Sequence, residues 1–197
     1  MPDLPIPDPP LSDNVVALRL WRTSDLHQRL AGYADPEFRR FSLLSGAPVT
    51  EARVREHFEQ ETRDREHGRK LSLAIVDAAD PRHVWGGCSV YDIDLDQQRA
   101  GVGYWLAPPA RGRGAATRTV RLLAKWAFDA LGIARLELTC SPDNLASQRV
   151  AERAGFVREG VLRSHMRAQH GRRDSVLFSL LPGDLGAPDR PDHPRTE

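Results

Sequence analysis

Residues 104–117 read Tyr-Trp-Leu-Ala-Pro-Pro-Ala-Arg-Gly-Arg-Gly-Ala-Ala-Thr, and the reading of the whole chain turns on this stretch. The apolar run ending at Leu106 suits a strand, and Pro108 and Pro109 forbid its continuation. A turn of small residues then opens a helix. The backbone N–H groups of Gly112, Arg113, Gly114, Ala115 and Ala116 would point at whatever sits on that helix N-terminus. Such an end carries unsatisfied donors and the positive pole of the helix dipole, so it favours an anion. Small residues let a pyrophosphate approach the backbone closely, and Arg111 and Arg113 can add charge-assisted contacts. A nucleotide P-loop needs Gly-Lys-Ser/Thr, whereas Gly114 is followed by Ala115 and Ala116. A dinucleotide fingerprint needs three spaced glycines, and here there are Gly112 and Gly114 alone. Taken by itself, a glycine turn before a helix also fits a plain connection.

Working outward, the spacing predicts a helix over 115–131 with Val120, Leu123, Ala127 and Leu131 on one face. Residues 135–140 alternate, with Leu136, Leu138 and Cys140 on one side and Arg135, Glu137 and Thr139 on the other. A short helix over 144–154 stops at Gly155, a left-handed C-terminal stop. Strands near 156–162 and 175–181 flank a polar, glycine-containing connection. Upstream, the runs 85–93 and 101–106 suit an antiparallel hairpin around the polar stretch 94–99. Before them come a strand over 15–20, helical segments near 25–30 and 50–66, a strand over 71–76 and a turn at Asp80-Pro81. No internal repeat is visible. The order is mixed α and β, with hairpins early and a strand–helix–strand unit late.

The chain has 197 residues, enough for one domain with a proper core. Five prolines in residues 1–13 predict a disordered N-terminal segment, and the Pro/Asp/Arg composition of 183–197 a disordered tail, leaving 14–182 as the folded domain. A formal net charge of +1 gives no reason to expect a nucleic-acid or membrane-surface partner. No apolar run approaches the roughly 20 residues that cross a bilayer, and the N-terminus lacks a secretory pattern, so a cytoplasmic location is expected. Cys88 and Cys140 read as reduced, buried strand residues. The seven histidines show no metal-ligand spacing, so no metal is implied; His165 and His170 read as surface residues near the last hairpin. Asp92, Asp94 and Asp96 read as solvated turn residues.

The spacing Arg111-x-x-Gly114-x-Ala116, between a Gly-Tyr-Trp-Leu strand and an amphipathic helix, resembles the CoA pyrophosphate loop of the GNAT superfamily of N-acetyltransferases. Residues 135–160, RLELTCSPDNLASQRVAERAGFVREG, resemble the strand–helix–strand segment that follows that loop. Asn144, Ser147, Gly155-Phe156 and Arg173-Asp174 are similar to the branch that acetylates ribosomal-protein N-termini, the Rim-type enzymes. The resemblance implies a central mixed, mostly antiparallel twisted sheet of about six to seven strands flanked by helices, with strands splayed at the CoA site. It also implies acetyl-CoA as co-substrate, held by Arg111, Gly112, Arg113, Gly114, Ala115, Ala116 and Thr117. Pantetheine would pair with the strand end at Trp105, Leu106 and Ala107, and Asn144 and Ser147 would add contacts. A homodimer is common in that branch.

Many members of the superfamily protonate the leaving thiolate with a tyrosine seven residues after the asparagine. Here that position is Ala151, and by resemblance Ser147 serves, although Asn144 and Ser147 also read as a plain helix cap. Glu137 can act as base on the amine, directly or through water, or be a half-exposed strand residue; Glu159 and Asp174 are rivals. Without a strong base, an α-amine (pKa about 7.7–8.0) is an easier acceptor than lysine (about 10.4). The expected activity is acetyl transfer from acetyl-CoA to a primary amine, with a protein or peptide N-terminus as the leading acceptor. A small-molecule amine and a non-catalytic acyl-CoA sensor are the alternatives.

Overall fold

The computed structural model describes residues 3–42, 48–168 and 171–185. One sheet contains β1 (Leu11–Ser12), β2 (Val16–Leu20), β3 (Lys70–Asp77), β4 (Val84–Asp94), β5 (Arg99–Leu106), β6 (Arg135–Cys140), β7 (Val157–Ala168) and β8 (Gly171–Leu180). Its strand order is β1-β2-β3-β4-β5-β6-β8-β7. Every neighbouring pair is antiparallel except β5 and β6, which run parallel over three residue pairs. The expected mixed, mostly antiparallel sheet is therefore present, in eight strands where six or seven were expected.

The added strand comes from the proline-rich N-terminus. Residues 3–13 were expected to be disordered, but Leu11 and Ser12 pair with Leu18 and Ala17. Leu4 is buried, and its N–H donates to the Arg65 carbonyl at 3.1 Å. Two isolated apolar residues among prolines carry no periodicity, so their burial depends on the surface they meet. The last hairpin is also longer than expected. Met166, Arg167 and Ala168 pair with Arg173, Arg172 and Gly171, in a stretch too polar on both faces to show strand alternation. Beyond Leu185 the proposed tail lies outside the described residues, as does His170.

Among the described residues five α-helices flank the sheet: α1 (Leu26–Ala34), α2 (Pro36–Phe41), α3 (Glu51–Glu66), α4 (Ala115–Leu131) and α5 (Leu145–Ala154). Local chemistry sets their ends. Asp35 caps α2 by accepting from the Phe38 N–H at 3.0 Å, with Pro36 in the first turn. Thr50 caps α3, and left-handed Gly132 and Gly155 end α4 and α5.

Alternate residues of a strand point to opposite faces, so the sheet has two cores. The larger packs Leu71, Leu73, Ile75, Val102, Leu136 and Leu138 against Val120, Leu123 and Ala127 of α4 and Ala151 of α5. The smaller joins Leu26, Tyr33 and Val54 with Phe38, Phe58 and Trp105. Tyr104 and Leu106 belong to the first and Trp105 to the second, which places the end of β5 between them.

Helix α1 approaches that strand end closely because Gly32 has no side chain: a Cβ there would stand 2.2 Å from the Trp105 ring. The ring is held by Trp21, Tyr33 and Phe38, with centroids 5.4–6.3 Å away, so it has little room to yield. Gly32→Ala is expected to destabilise the fold by roughly 1–3 kcal/mol, as overpacking does. The urea midpoint would report it; an unchanged midpoint would mean that the α1–β5 contact relaxes freely.

Candidate active site

The two halves of the sheet separate between β5 and β6. Arg99, Ala100 and Gly101 pair with Arg135, Leu136 and Glu137, and the ladder stops there. β5 stays paired to β4 through Leu106, and β6 to β8 through Cys140. Each strand thus follows its other neighbour, and the facing edges of 102–106 and 138–140 diverge. A cavity of about 650 Å³ opens at this divergence, within the size range of small-molecule sites.

One end of the cavity is the loop before α4. Gly112 and Gly114 have φ of 73° and 75°, the left-handed region open to glycine, and a Cβ at either would meet nothing within 4 Å. The first bond of α4 in this turn runs from the Arg118 N–H to the Gly114 carbonyl, so the N–H groups of Ala115, Ala116 and Thr117 precede the helical ladder. Gly112, Gly114, Ala115, Ala116 and Thr117 all line the cavity.

The two loop arginines behave differently. Arg111, expected at a phosphate, lines the cavity, and its guanidinium is held by the Asp35 carboxylate, by Glu37 at 2.9 Å and by the Leu106 carbonyl at 3.0 and 3.1 Å. It ties α2 to the end of β5. Arg113 is exposed and makes no ion pair among the described residues. Arg149 and Arg153, one turn apart on α5, line the same cavity without an ion-pair partner among the described residues. Sequence reasoning passed over them because exposed arginines on a short helix are ordinary.

At the strand ends, Trp105 and Leu106 line the cavity and Ala107 does not. The Ala107 N–H is committed to the Trp85 carbonyl at 2.8 Å. Asn144 and Ser147 both line the cavity, and Asn144 Oδ1 accepts from the Ser147 N–H at 3.0 Å, so the helix cap is real. The Ser147 hydroxyl accepts from the Tyr104 hydroxyl at 3.3 Å. Burial pushes Tyr104 up to about 12, with Ser147 pulling the other way, so the phenol is protonated at neutral pH. Cys140 also lines the cavity; burial raises its thiol pKa and the Ser147 hydroxyl opposes the rise. Ser147 therefore sits between a protonated phenol and a thiol, a cluster that residues 104, 140 and 147 do not suggest by spacing.

The carboxylates proposed as bases stand elsewhere. Glu137 is outside the cavity lining, and its Oε1 accepts from Arg135 Nε at 2.8 Å. Glu159 receives two bonds from the same arginine, at 2.6 and 2.9 Å, and one from Ser179 at 2.6 Å. Asp174 accepts from the Ser164 N–H at 2.7 Å. His165 is likewise outside the lining.

The other end of the cavity lies under α1–α3. Arg29 is buried, donates to Glu61 at 2.7 and 2.8 Å and to the Tyr33 hydroxyl at 2.7 and 2.9 Å, and lies 4.3 Å from the Trp21 ring centroid. Trp21, Phe38 and Trp105 complete an aromatic wall, and Lys70, Ser72, Ser89 and Tyr91 line the sheet beneath it. The 32-residue separation of Arg29 and Glu61 left no sequence signal for this cluster. Among the described residues no group of three or more His, Cys, Asp or Glu could hold a metal ion, and no helix is long and apolar enough to cross a membrane.

The cavity thus joins a strand–loop–helix turn to a gap between two parallel strands. The model of the acetyltransferase (GNAT) domain matches residues 16–157, and the chain belongs to that family of acyltransferases. "Probable N-acetyltransferase YjcK" of Bacillus subtilis (strain 168) is 33% identical over 133 residues, 67% of this chain and 71% of that protein. Mycobacterium smegmatis RimJ, solved in complex with CoA-disulfide, shares the fold with a TM-score of 0.79, at 23% identity over 88% of this chain and 85% of that one. RimL, described as a ribosomal L7/L12 alpha-N-protein acetyltransferase and solved with coenzyme A, has a TM-score of 0.76 at 21% identity, over 87% and 96%. The chain is thus a GNAT acyltransferase.

The Arg135 network sets an acid limit. Arg135 and Ser179 hold Glu159 at about 2, below the roughly 4.3 of a free glutamate. A depressed carboxyl contributes stability above its unfolded pKa and loses it as pH falls from there toward about 2. Glu159→Gln is expected to flatten the stability profile between about pH 4.5 and 2. Acid denaturation curves would show it; identical slopes would mean that this exposed network contributes nothing.

Proposed function

We propose that the protein transfers the acetyl group of acetyl-CoA to a primary amine, with the α-amine of a protein or peptide N-terminus as acceptor. The observation that carries this is the continuous path from the left-handed glycine turn, through the β5–β6 gap, to the Ser147 hydroxyl. The phosphates of the donor would lie on the N–H groups of residues 112–117, with Arg113, Arg149 and Arg153 nearby. Pantetheine would follow the unpaired edge of β5 at Trp105 and Leu106. Solved relatives of the same fold contain CoA, which supports that donor.

In the reaction the neutral amine attacks the acetyl carbonyl carbon, and backbone N–H groups on the free β5 edge stabilise the charge that develops on its oxygen. The carbon–sulfur bond then breaks, and the leaving thiolate takes a proton from the Ser147 hydroxyl. Ser147 recovers it from water, directly or through Tyr104, which takes a proton from water in turn. The excess proton of the ammonium product leaves through water, because the lining offers no free carboxylate: Glu61 is held by Arg29 and Glu37 by Arg111. This absence of a base among the described lining residues is what favours an α-amine. At pH 7 roughly one α-amine in ten is already neutral, against fewer than about one lysine in a thousand. RimL, of the same fold, is described as acting on a protein α-amine, in agreement with this reading.

Thiol release from acetyl-CoA is expected with free-N-terminus peptides and not with peptides whose only amine is lysine. Release with small amines alone would move the function to a small-molecule acceptor, and none with any amine would favour the sensor. Ser147→Ala is expected to lower kcat by about 100-fold or more, the scale of general-acid catalysis, with little change in the acetyl-CoA KM. Equal kcat would remove Ser147 from the chemistry.

Gly114→Val should raise the Kd for CoA at least about tenfold. Gly132 offers the control: it is also left-handed and open, with φ of 65°, but lies at the far end of α4. Gly132→Val carries a similar backbone cost. Calorimetry showing that both variants bind CoA alike would sink the anion-site reading.

A further inference from the structure

The charges around the cavity do not cancel evenly. Arg29 is neutralised by Glu61, and Arg111 by Glu37 and Asp35. Arg149 and Arg153 lie on α5, and the phosphates of the proposed donor would account for them. One cation remains. Lys70, half-buried at the start of β3, lines the acceptor end and has no ion-pair or hydrogen-bond partner among the described residues.

A second polar group there is also unpartnered. Ser72 is 8% exposed, lines the same cavity, and its hydroxyl has no hydrogen-bond partner among the described residues. A buried hydroxyl without a partner costs free energy unless something else supplies the bond. Lys70 and Ser72 are two apart on one strand and so share a face. They pair with Tyr91 and Ser89, which in turn pair with Gly101 and Gly103 of β5. A short polar floor thus runs from the free edge of β5, across β4, to Lys70 and Ser72 on β3. Two strand spacings make that distance roughly 10 Å, part of which the lysine side chain spans.

The His57 imidazole on α3 is held below its usual pKa by burial first, and then by the charges of Arg29, Arg53 and Lys70 against the opposing Glu61.

We propose that Lys70 and Ser72 form the anion-binding part of the acceptor site, and that the preferred acceptor is an amine carrying a carboxylate a few bonds away. The amine lies at the β5 edge, and the carboxylate accepts from the Lys70 ammonium and the Ser72 hydroxyl. This rests on the acetyltransferase reading and narrows it to acidic acceptors. The carboxylate can come from an acidic side chain near a peptide N-terminus or from the C-terminus of a very short peptide.

The test compares kcat/KM for Ala-Asp-Ala-Ala-amide and Ala-Asn-Ala-Ala-amide, and for Ala-Ala and Ala-Ala-amide, in wild type, Lys70→Met, Lys70→Arg and Ser72→Ala. In wild type the acidic member of at least one pair is expected to be favoured about tenfold or more, the scale of a charge-assisted hydrogen bond. The pair showing it identifies the source of the carboxylate. The ratio should fall to near one in Lys70→Met, persist in Lys70→Arg and shrink in Ser72→Ala. A wild-type ratio near one in both pairs, or a ratio undiminished in Lys70→Met, overturns the proposal while leaving acetyl transfer intact. If no amine is turned over, the acetyltransferase reading fails, and titration of the same peptides into the CoA-saturated protein decides the site. Tighter acidic-peptide binding that Lys70→Met abolishes supports it, and equal binding overturns it.

Discussion

The loss of pairing between β5 and β6 after Gly101 and Glu137 is the constraint on which the rest of the molecule depends. A parallel pair that stops after three residues leaves backbone donors and acceptors on both edges, and such groups are costly when buried without partners. Part of that demand is met within the chain: Arg111 donates to the Leu106 carbonyl at the open end of β5. The remainder of the edge is available to an extended chain laid between the strands, which the pantetheine arm of the proposed donor resembles in its alternation of amides and methylenes. The gap persists because each strand is fully committed on its other side.

The same gap separates two chemical environments. On the α4–α5 side, Tyr104, Cys140 and Ser147 form a small polar cluster next to the larger core, suited to a sulfur and a proton. On the α1–α3 side, Trp105 turns into the aromatic wall with Trp21, Tyr33 and Phe38. One strand end serves both because consecutive residues point to opposite faces. The arginines of the wall are neutralised, Arg29 by Glu61 and Arg111 by Glu37, so they shape the site without dominating its field. That leaves the loop donors and the few unpaired cations to decide which charges the cavity accepts.

The elements around the glycine loop are legible in the order of residues alone. Helix α4 starts after Gly114 and ends before Gly132, and β6 covers 135–140, as periodicity and glycine placement predict. Asn144 is legible as a cap and Gly155 as a stop for the same reason. The last hairpin reads as shorter than it is because residues 163–173 are polar on both faces, and the N-terminal strand leaves no signal because Leu4 and Leu11 are isolated among prolines. At the site, Glu137 reads as a base on the amine or as a half-exposed strand residue, and Arg135 beside it engages the carboxylate outside the cavity.

What this sequence determined by itself was whatever neighbouring residues can encode: strand and helix periods, caps, and the small-residue turn that bares backbone N–H groups at 112–117. Tertiary structure alone decided which charges meet. Arg111 finds Asp35 across 76 positions, Arg29 finds Glu61 across 32, and Lys70 finds no counter-charge among the described residues. The reason is physical. Backbone geometry is set by forces acting within a few residues, whereas the state of a charged side chain depends on partners and solvent exclusion that exist only once distant segments have packed.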